Sequence, residues 1–257
     1  MNRREFLGLG LSLPLMGAIS TTAFATTWAE EEFTCPVCAT KNTFRVIMSY
    51  GSYIYSWPSK YQLIYWPVTD QNSVYCCKKC YLSMFMWDYK DLAKDKIPAI
   101  KKQLEGVSLK TPVTDYAKVP MSERLAIAEK VYGVLDMKEA FWCRFYRILG
   151  YHYTNEKNTT KADESRKKAL DIAQKMLNDK TSDTPVKELW LISGAMKHFL
   201  KDDTGAIADL NQALTIKYQQ KDLDEEKNNN GEQNLNALIK EYIAQIKSPK
   251  PPRDSSQ

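Results

Sequence analysis

The chain of 257 residues has two histidines and ten glycines, and none of the glycines forms a phosphate-cradling loop. With His152 and His198 as the only imidazoles and nothing to mark a nucleophile, no Ser/His/Asp set can be assembled. Long apolar runs are scarce. The N-terminal stretch Phe6 to Ile19 is broken by Pro14 and is too short to span a bilayer. A surplus of one charge sign is missing too. Thirty-six Lys and Arg stand against 31 Asp and Glu, a net charge of +5, and the two signs are well mixed. That balance gives no indication of nucleic-acid binding. What is present is globular: 44% hydrophobic, 26% charged, with 15 Tyr and 6 Trp.

The start reads as a targeting segment. Arg3-Arg4 precede the apolar stretch, and Ala23-Phe24-Ala25 has the small-x-small form of a cleavage site. Residues 1–25 are therefore expected to be a signal peptide, with Thr26 the first mature residue. Arg3-Arg4-Glu5-Phe6-Leu7 resembles a twin-arginine export signal, with Asn2 and Gly8 as departures. An ordinary secretory signal is the alternative. Removing Arg3, Arg4 and Glu5 leaves 34 basic and 30 acidic residues, or +4, and no membrane span. The expected location is the bacterial periplasm.

The strongest chemical signal is a pair of motifs, Cys35-Pro36-Val37-Cys38 and Cys77-Lys78-Lys79-Cys80. Each places two sulfurs on one tight turn. Together they offer four thiolates, the closed tetrahedral set of structural zinc. A closed shell leaves no position for substrate, so the zinc would be structural. Thirty-eight residues separate Cys38 from Cys77, enough to require a small sheet. Strands are expected at Thr43–Met48, Tyr61–Tyr65 and Ser73–Tyr75, punctuated by Gly51, Pro58, Pro67 and Asp70-Gln71-Asn72. This is a zinc-ribbon plan over residues 30–90.

Two other arrangements compete. An exported chain can pair its thiols as disulfides. Cys35 and Cys38 could also form a redox-active pair, making the chain a thiol-disulfide oxidoreductase. That use needs a helix starting at the first cysteine, whereas a β-type run follows here. Cys76 could replace Cys77 as a ligand, but the tight-turn spacing favours Cys77, with Cys76 on the opposite face of its strand.

From Cys80 onward the periodicity is helical. Tyr81–Tyr89 reads as the apolar face of a helix, with its Met and aromatic residues packed on the ribbon rather than forming a cofactor box. Ile97-Pro98 opens a short helix ended by Gly106 and Thr111-Pro112. Six more follow: one capped by Ser122, then 138–153, 161–177, one from Pro185, one from Asp203-Thr204, and one after an Asn228–Gly231 turn. Ser248 and the prolines at 249, 251 and 252 begin a disordered tail, 248–257. Cys143 reads as a small core residue.

Within the helices, Tyr146, Gly150, Ala162 and Ala169 recur 44 residues later as Trp190, Gly194, Ala206 and Ala213. Bulky-then-Gly on one helix and two Ala on the next resembles the tetratricopeptide repeat. The departures are the 44-residue offset, Ser193 for an aliphatic and Arg166 for an aromatic.

The cysteine frame and helices together resemble the bacterial family called domain of unknown function 2225. The matching stretches are Cys35–Cys38, Val74–Cys80, Trp87-Asp88-Tyr89, Arg144–Gly150 and Leu238–Ile243. The family usually has Pro after the third cysteine and Gly after the fourth. Lys78 and Tyr81 stand there instead, so the second turn should be less regular. The resemblance implies metal binding and a tetratricopeptide-like part, and no known reaction.

The expected fold class is α+β: a β-rich zinc ribbon, then an all-α tetratricopeptide-like domain at 91–247. The expected function is a non-enzymatic scaffold for an unknown protein or peptide. Candidate metal ligands are Cys35, Cys38, Cys77 and Cys80. Candidate partner-binding residues are Arg144, Tyr146, Arg147, Tyr153 and Trp190, with Arg144 and Arg147 a possible clamp for an acidic partner.

Overall fold

The computed structural model describes residues 27–49, 59–179 and 182–248. The leader, the cleavage site, Gly51, Pro58 and the Pro-rich tail lie outside the described residues. Two small antiparallel hairpins come first. Strand β1 (Thr27–Thr34) pairs with β2 (Lys41–Ser49), and Thr34 opposite Lys41 brackets the first Cys-x-x-Cys turn. Strand β3 (Val74–Cys76) pairs with β4 (Ser83–Phe85), and Cys76 opposite Ser83 brackets the second. Among the described residues seven helices follow, so the architecture is α+β as expected.

Two local expectations fail for one reason. Tyr61–Tyr65 is not a strand but a 3-10 turn at Lys60–Gln62, ending on Leu63 in the left-handed region (φ 50°). Tyr81–Tyr89 is not a helix: Ser83–Phe85 form β4, and a turn carries Trp87-Asp88-Tyr89. Both segments are largely buried. Tyr61, Gln62 and Ile64 are buried, and so are all four residues Leu82–Phe85. A short run buried on both faces shows no period that separates strand, helix and turn.

An aromatic cluster fills the space between the hairpins. Phe44 stacks on Tyr75 at 4.2 Å, with Phe33, Tyr89 and Tyr116 edge-on around them. This core runs on without a break into α1 (Ile97–Leu104), α2 (Met121–Tyr132) and α3 (Glu139–Asn155). A second core joins α4 (Thr159–Asn178), α5 (Val186–Phe199), α6 (Asp203–Thr215) and α7 (Glu225–Lys247), and includes Tyr61 from the loop.

Helix starts differ from expectation twice. Ser122 is not a cap. Pro120 precedes α2, and the Ser122 N–H and hydroxyl both donate to the Glu156 carboxylate. Asn228–Gly231 is not a turn but lies inside α7, which Asp224 caps through the Lys227 N–H. The Asn228 amide returns to the Gln220, Leu223 and Asp224 carbonyls, and Gly231 lies so close to Tyr218 that a Cβ would meet its ring at 2.7 Å. Both residue types serve tertiary contacts rather than a chain reversal.

The 44-residue correspondence has a matched geometry. A Cβ on Gly150 would meet the Ala162 carbonyl at 3.3 Å and Arg166 Cγ at 3.0 Å. One on Gly194 would meet the Ala206 carbonyl at 3.0 Å and Leu210 Cγ at 2.8 Å. α3–α4 and α5–α6 are thus two antiparallel hairpins with the same close approach.

The loop leading to β3 is clamped to the helices by buried donors. Arg124 of α2 donates to the carbonyls of Val119, Gln71 and Val74. Arg147 of α3 donates to the carbonyls of Cys143, Gln62 and Leu63. His152 Nε2 lies 2.8 Å from the Val68 carbonyl.

Two predictions follow from these contacts. Gly194→Ala gains about 1 kcal/mol of helix propensity but overpacks the α5–α6 contact by about 1–3 kcal/mol. Denaturant midpoints are expected to show a net loss. Burial holds the His152 imidazole down at about pKa 4, against the pull of the Val68 carbonyl. Since the folded value lies below the unfolded ~6.5, its stability is whole above pH ~6.5 and declines as pH falls toward 4. The decline is on the order of 3 kcal/mol. In urea titrations across that window, His152→Gln is expected to show a shallower slope than the wild type.

Candidate metal centre

The two cysteine turns are built alike. In the first, Cys35 N–H donates to the Thr40 carbonyl at 2.9 Å, and Ala39 N–H to the Cys35 carbonyl at 2.9 Å. In the second, Cys77 N–H donates to the Leu82 carbonyl at 2.9 Å, and Tyr81 N–H to the Cys77 carbonyl at 3.0 Å. Ala39 and Tyr81 hold the same left-handed conformation, φ 57° and 60°. The second turn is therefore as regular as the first, contrary to expectation. Tyr81 accepts the conformation usually given to Gly. Lys78 supplies something Pro could not: its N–H donates to Asn42 Oδ1 at 2.9 Å.

These turns bring Cys35, Cys38, Cys77 and Cys80 together, with all four sulfurs within 4.8 Å of one another. Cys35 and Cys80 are 3.6 Å apart, as are Cys38 and Cys77. The arrangement could hold a metal ion with four sulfur ligands. Cys35 and Cys77 face inward. Cys38 and Cys80 are half-buried and border a surface cavity of about 320 Å³ with Lys79, Tyr81 and Lys101.

Electrostatics show why so close a set favours a cation. The Cys35 and Cys80 thiols hold Cys77 well below the usual thiol range. In return Cys77 pushes Cys35 up to about 11, and Cys35 and Cys77 push Cys80 up further. Four adjacent sulfurs cannot all ionise unless a positive charge sits among them. Cys76 stays apart: its sulfur lies 3.9 Å from the Cys77 carbonyl, and burial raises it to about 11. The strand alternation that separates Cys76 from Cys77 was legible in the sequence.

Around the sulfurs stand side chains that sequence reasoning did not single out. Thr40 Oγ1 is 3.3 Å from Cys38 Sγ. Asn42, 3% exposed, donates from Nδ2 to the Thr40 carbonyl at 2.9 Å and to Cys77 Sγ at 3.6 Å. Asn42 thus joins the end of one turn to the start of the other. A buried Asn where β2 leaves a cysteine turn is a signal only once the second turn is known to lie opposite.

The candidate partner residues are not brought to one surface. Arg147 is buried on loop carbonyls, which removes it from the clamp with Arg144. Arg144 is exposed beside Asp88 and Trp87 in a small cavity floored by Phe85, Phe141 and Phe145. Tyr146 donates to Glu129 at 2.9 Å, with Lys168 over its ring. Tyr153 is buried beneath Lys161, and Trp190 is half-buried on the second core. Cys143 is a buried core residue, with its sulfur against the Ala169 carbonyl.

The profile of a family described as "Uncharacterized protein conserved in bacteria (DUF2225)" matches residues 28–242. The chain belongs to the DUF2225 family. The match runs from β1 to the middle of α7, so it takes in the cysteine-rich hairpins and all seven helices at least in part. No curated protein and no solved structure matches the chain. Among the described residues, no helix is long and apolar enough to cross a membrane.

A left-handed residue other than Gly costs about 1–2 kcal/mol. Ala39→Gly relieves that at an exposed position, against ~0.5–1 kcal/mol of added chain entropy. Metal-loaded protein is expected to keep or gain up to about 1 kcal/mol, read from unfolding midpoints.

Proposed function

We propose that the four cysteines hold one zinc ion as a structural centre. We further propose that the chain is an exported, non-enzymatic protein-interaction module. The observation that carries the metal reading is the closed set of four sulfurs on two matched turns. A shared ion would tie the two hairpins together at their turns, where neither short sheet pairs with the other. Zinc fits the donor set, because four thiolates suit a borderline-soft ion with tetrahedral preference. Strand β2, rather than a helix, follows Cys38, which speaks against a thioredoxin-like use of Cys35 and Cys38.

The scaffold reading rests on the two matched hairpins, α3–α4 and α5–α6, which have the close helix approach of tetratricopeptide-like pairs. A protein or peptide would dock on the exposed faces of these hairpins. The Arg-Arg leader and Ala-Phe-Ala site support export to the periplasm. Twin-arginine export would carry the folded, metal-loaded chain, so its thiols would meet an oxidising compartment already ligated.

Elemental analysis with thiol titration tests the metal reading. The expected result is one zinc per chain and thiols that react only after chelation or unfolding. A metal-free folded protein with Cys35 and Cys38 exchanging as a disulfide would instead establish the oxidoreductase reading.

A further inference from the structure

The Asn42 amide has its orientation decided by its neighbours. The residue is 3% exposed and lies on β2, the strand that leaves the first cysteine turn. Its Oδ1 accepts the Lys78 N–H at 2.9 Å, inside the second turn. Its Nδ2 donates to the Thr40 carbonyl at 2.9 Å. Reversing the amide would set donor against donor at Lys78 and acceptor against acceptor at Thr40. The orientation is therefore locked by two backbone groups, one from each turn. One Nδ2 proton is used at Thr40. The other faces Cys77 Sγ, with nitrogen and sulfur 3.6 Å apart. That separation exceeds an ordinary N–H···O bond, as the larger radius of sulfur requires.

The two oxygen-centred bonds would be enough for a strut between the turns. The contact with sulfur is the one a strut does not need. A neutral thiol is a weak acceptor, whereas a metal-bound sulfur is a thiolate and takes a charge-assisted bond. Cys77 is 0% exposed, so water does not reach its sulfur. Four thiolates around one divalent cation leave an excess of negative charge. On the buried side of the cluster that excess needs a donor from the protein itself. Asn42 supplies one, already aimed.

We propose that Asn42 is a positioning residue for the metal. Its amide donates to the Cys77 thiolate, and the Lys78 and Thr40 backbone groups hold the amide in place for that bond. The inference rests on the metal reading above and adds a residue that is not a ligand. Partners of this kind typically contribute about 10–100-fold in metal affinity.

The test uses the full chain with Zn²⁺ or Co²⁺ as the sole added metal. In wild-type protein the side-chain amide resonances of Asn42 are followed as Zn²⁺ is added. The proton facing Cys77 is expected to move downfield, while the proton on the Thr40 carbonyl stays as an internal control. Asn42→Leu, close in size and without a donor, is expected to bind Zn²⁺ about 10–100-fold more weakly against a competing chelator. Its sulfur-to-cobalt charge-transfer band is expected at lower energy, because a sulfur that has lost a donor gives up an electron more readily. An Asn42 proton that ignores bound Zn²⁺ overturns the inference while leaving the metal centre standing, and this measurement decides even if Asn42→Leu fails to fold. Weaker Zn²⁺ binding by Asn42→Leu with the cobalt band unmoved also overturns it, by making Asn42 a strut alone. A wild-type chain that takes up neither ion overturns both readings at once.

Discussion

Two guanidinium groups are enclosed here with carbonyl oxygens, not carboxylates, as their hydrogen-bond partners. Arg124 is 0% exposed and reaches the Gln71, Val74 and Val119 carbonyls. Arg147 reaches Cys143, Gln62 and Leu63. An irregular segment such as 59–73 can enter a core only if its carbonyls find donors there. A planar five-donor fork meets several at once. Burial still opposes the charge and lowers Arg124 to about 10. The segment so held runs directly into β3 and Cys77. The placing of the second cysteine turn against the first thus depends on helices that come much later in the chain.

The four-cysteine cluster inherits this arrangement. Its two turns use the same pair of backbone bonds and the same left-handed residue, 42 positions apart, although their sequences share little beyond the cysteines. What differs is their surroundings. Of the inner sulfurs, that of Cys77 lies against the Asn42 amide, whereas the outer sulfurs border solvent and two lysines. A four-thiolate site carries more negative charge than a divalent ion cancels, so donors matter most on the side that water does not reach.

Much of this was legible in the residues. Cys-x-x-Cys spacing picked out the four cysteines that the structure brings together. The 3.6-residue period placed α3 to α6 closely, and the Gly and Ala pairs marked the helix crossings. What escaped shares one property: each misread segment is governed by partners far away in sequence. Leu82–Phe85 is buried on both faces and has no period. Asn228–Gly231 has turn chemistry, yet Asn228 bonds the preceding loop and Gly231 admits Tyr218. Strand β1 is disguised by Glu30-Glu31-Glu32, with Phe33 its one buried residue. Arg147 carries the surface chemistry of a partner clamp, and only the Gln62 and Leu63 carbonyls show that it is interior. Tyr89 lay within a stretch already noticed, Trp87-Asp88-Tyr89, without any local hint that its ring belongs to the aromatic cluster between the hairpins.

The 3-10 turn at Lys60–Gln62 touches more of the molecule than its length suggests. Its carbonyls take Arg147 from α3, while Tyr61 stacks on Tyr242 of α7 at 4.1 Å and donates to Glu241. Helix α3, on its other side, is pressed at Gly150 against α4. The turn thus couples α7 to α3 through direct contacts, and the same segment leads on into β3, so a displacement of α7 would be felt at the loop that carries the second cysteine turn.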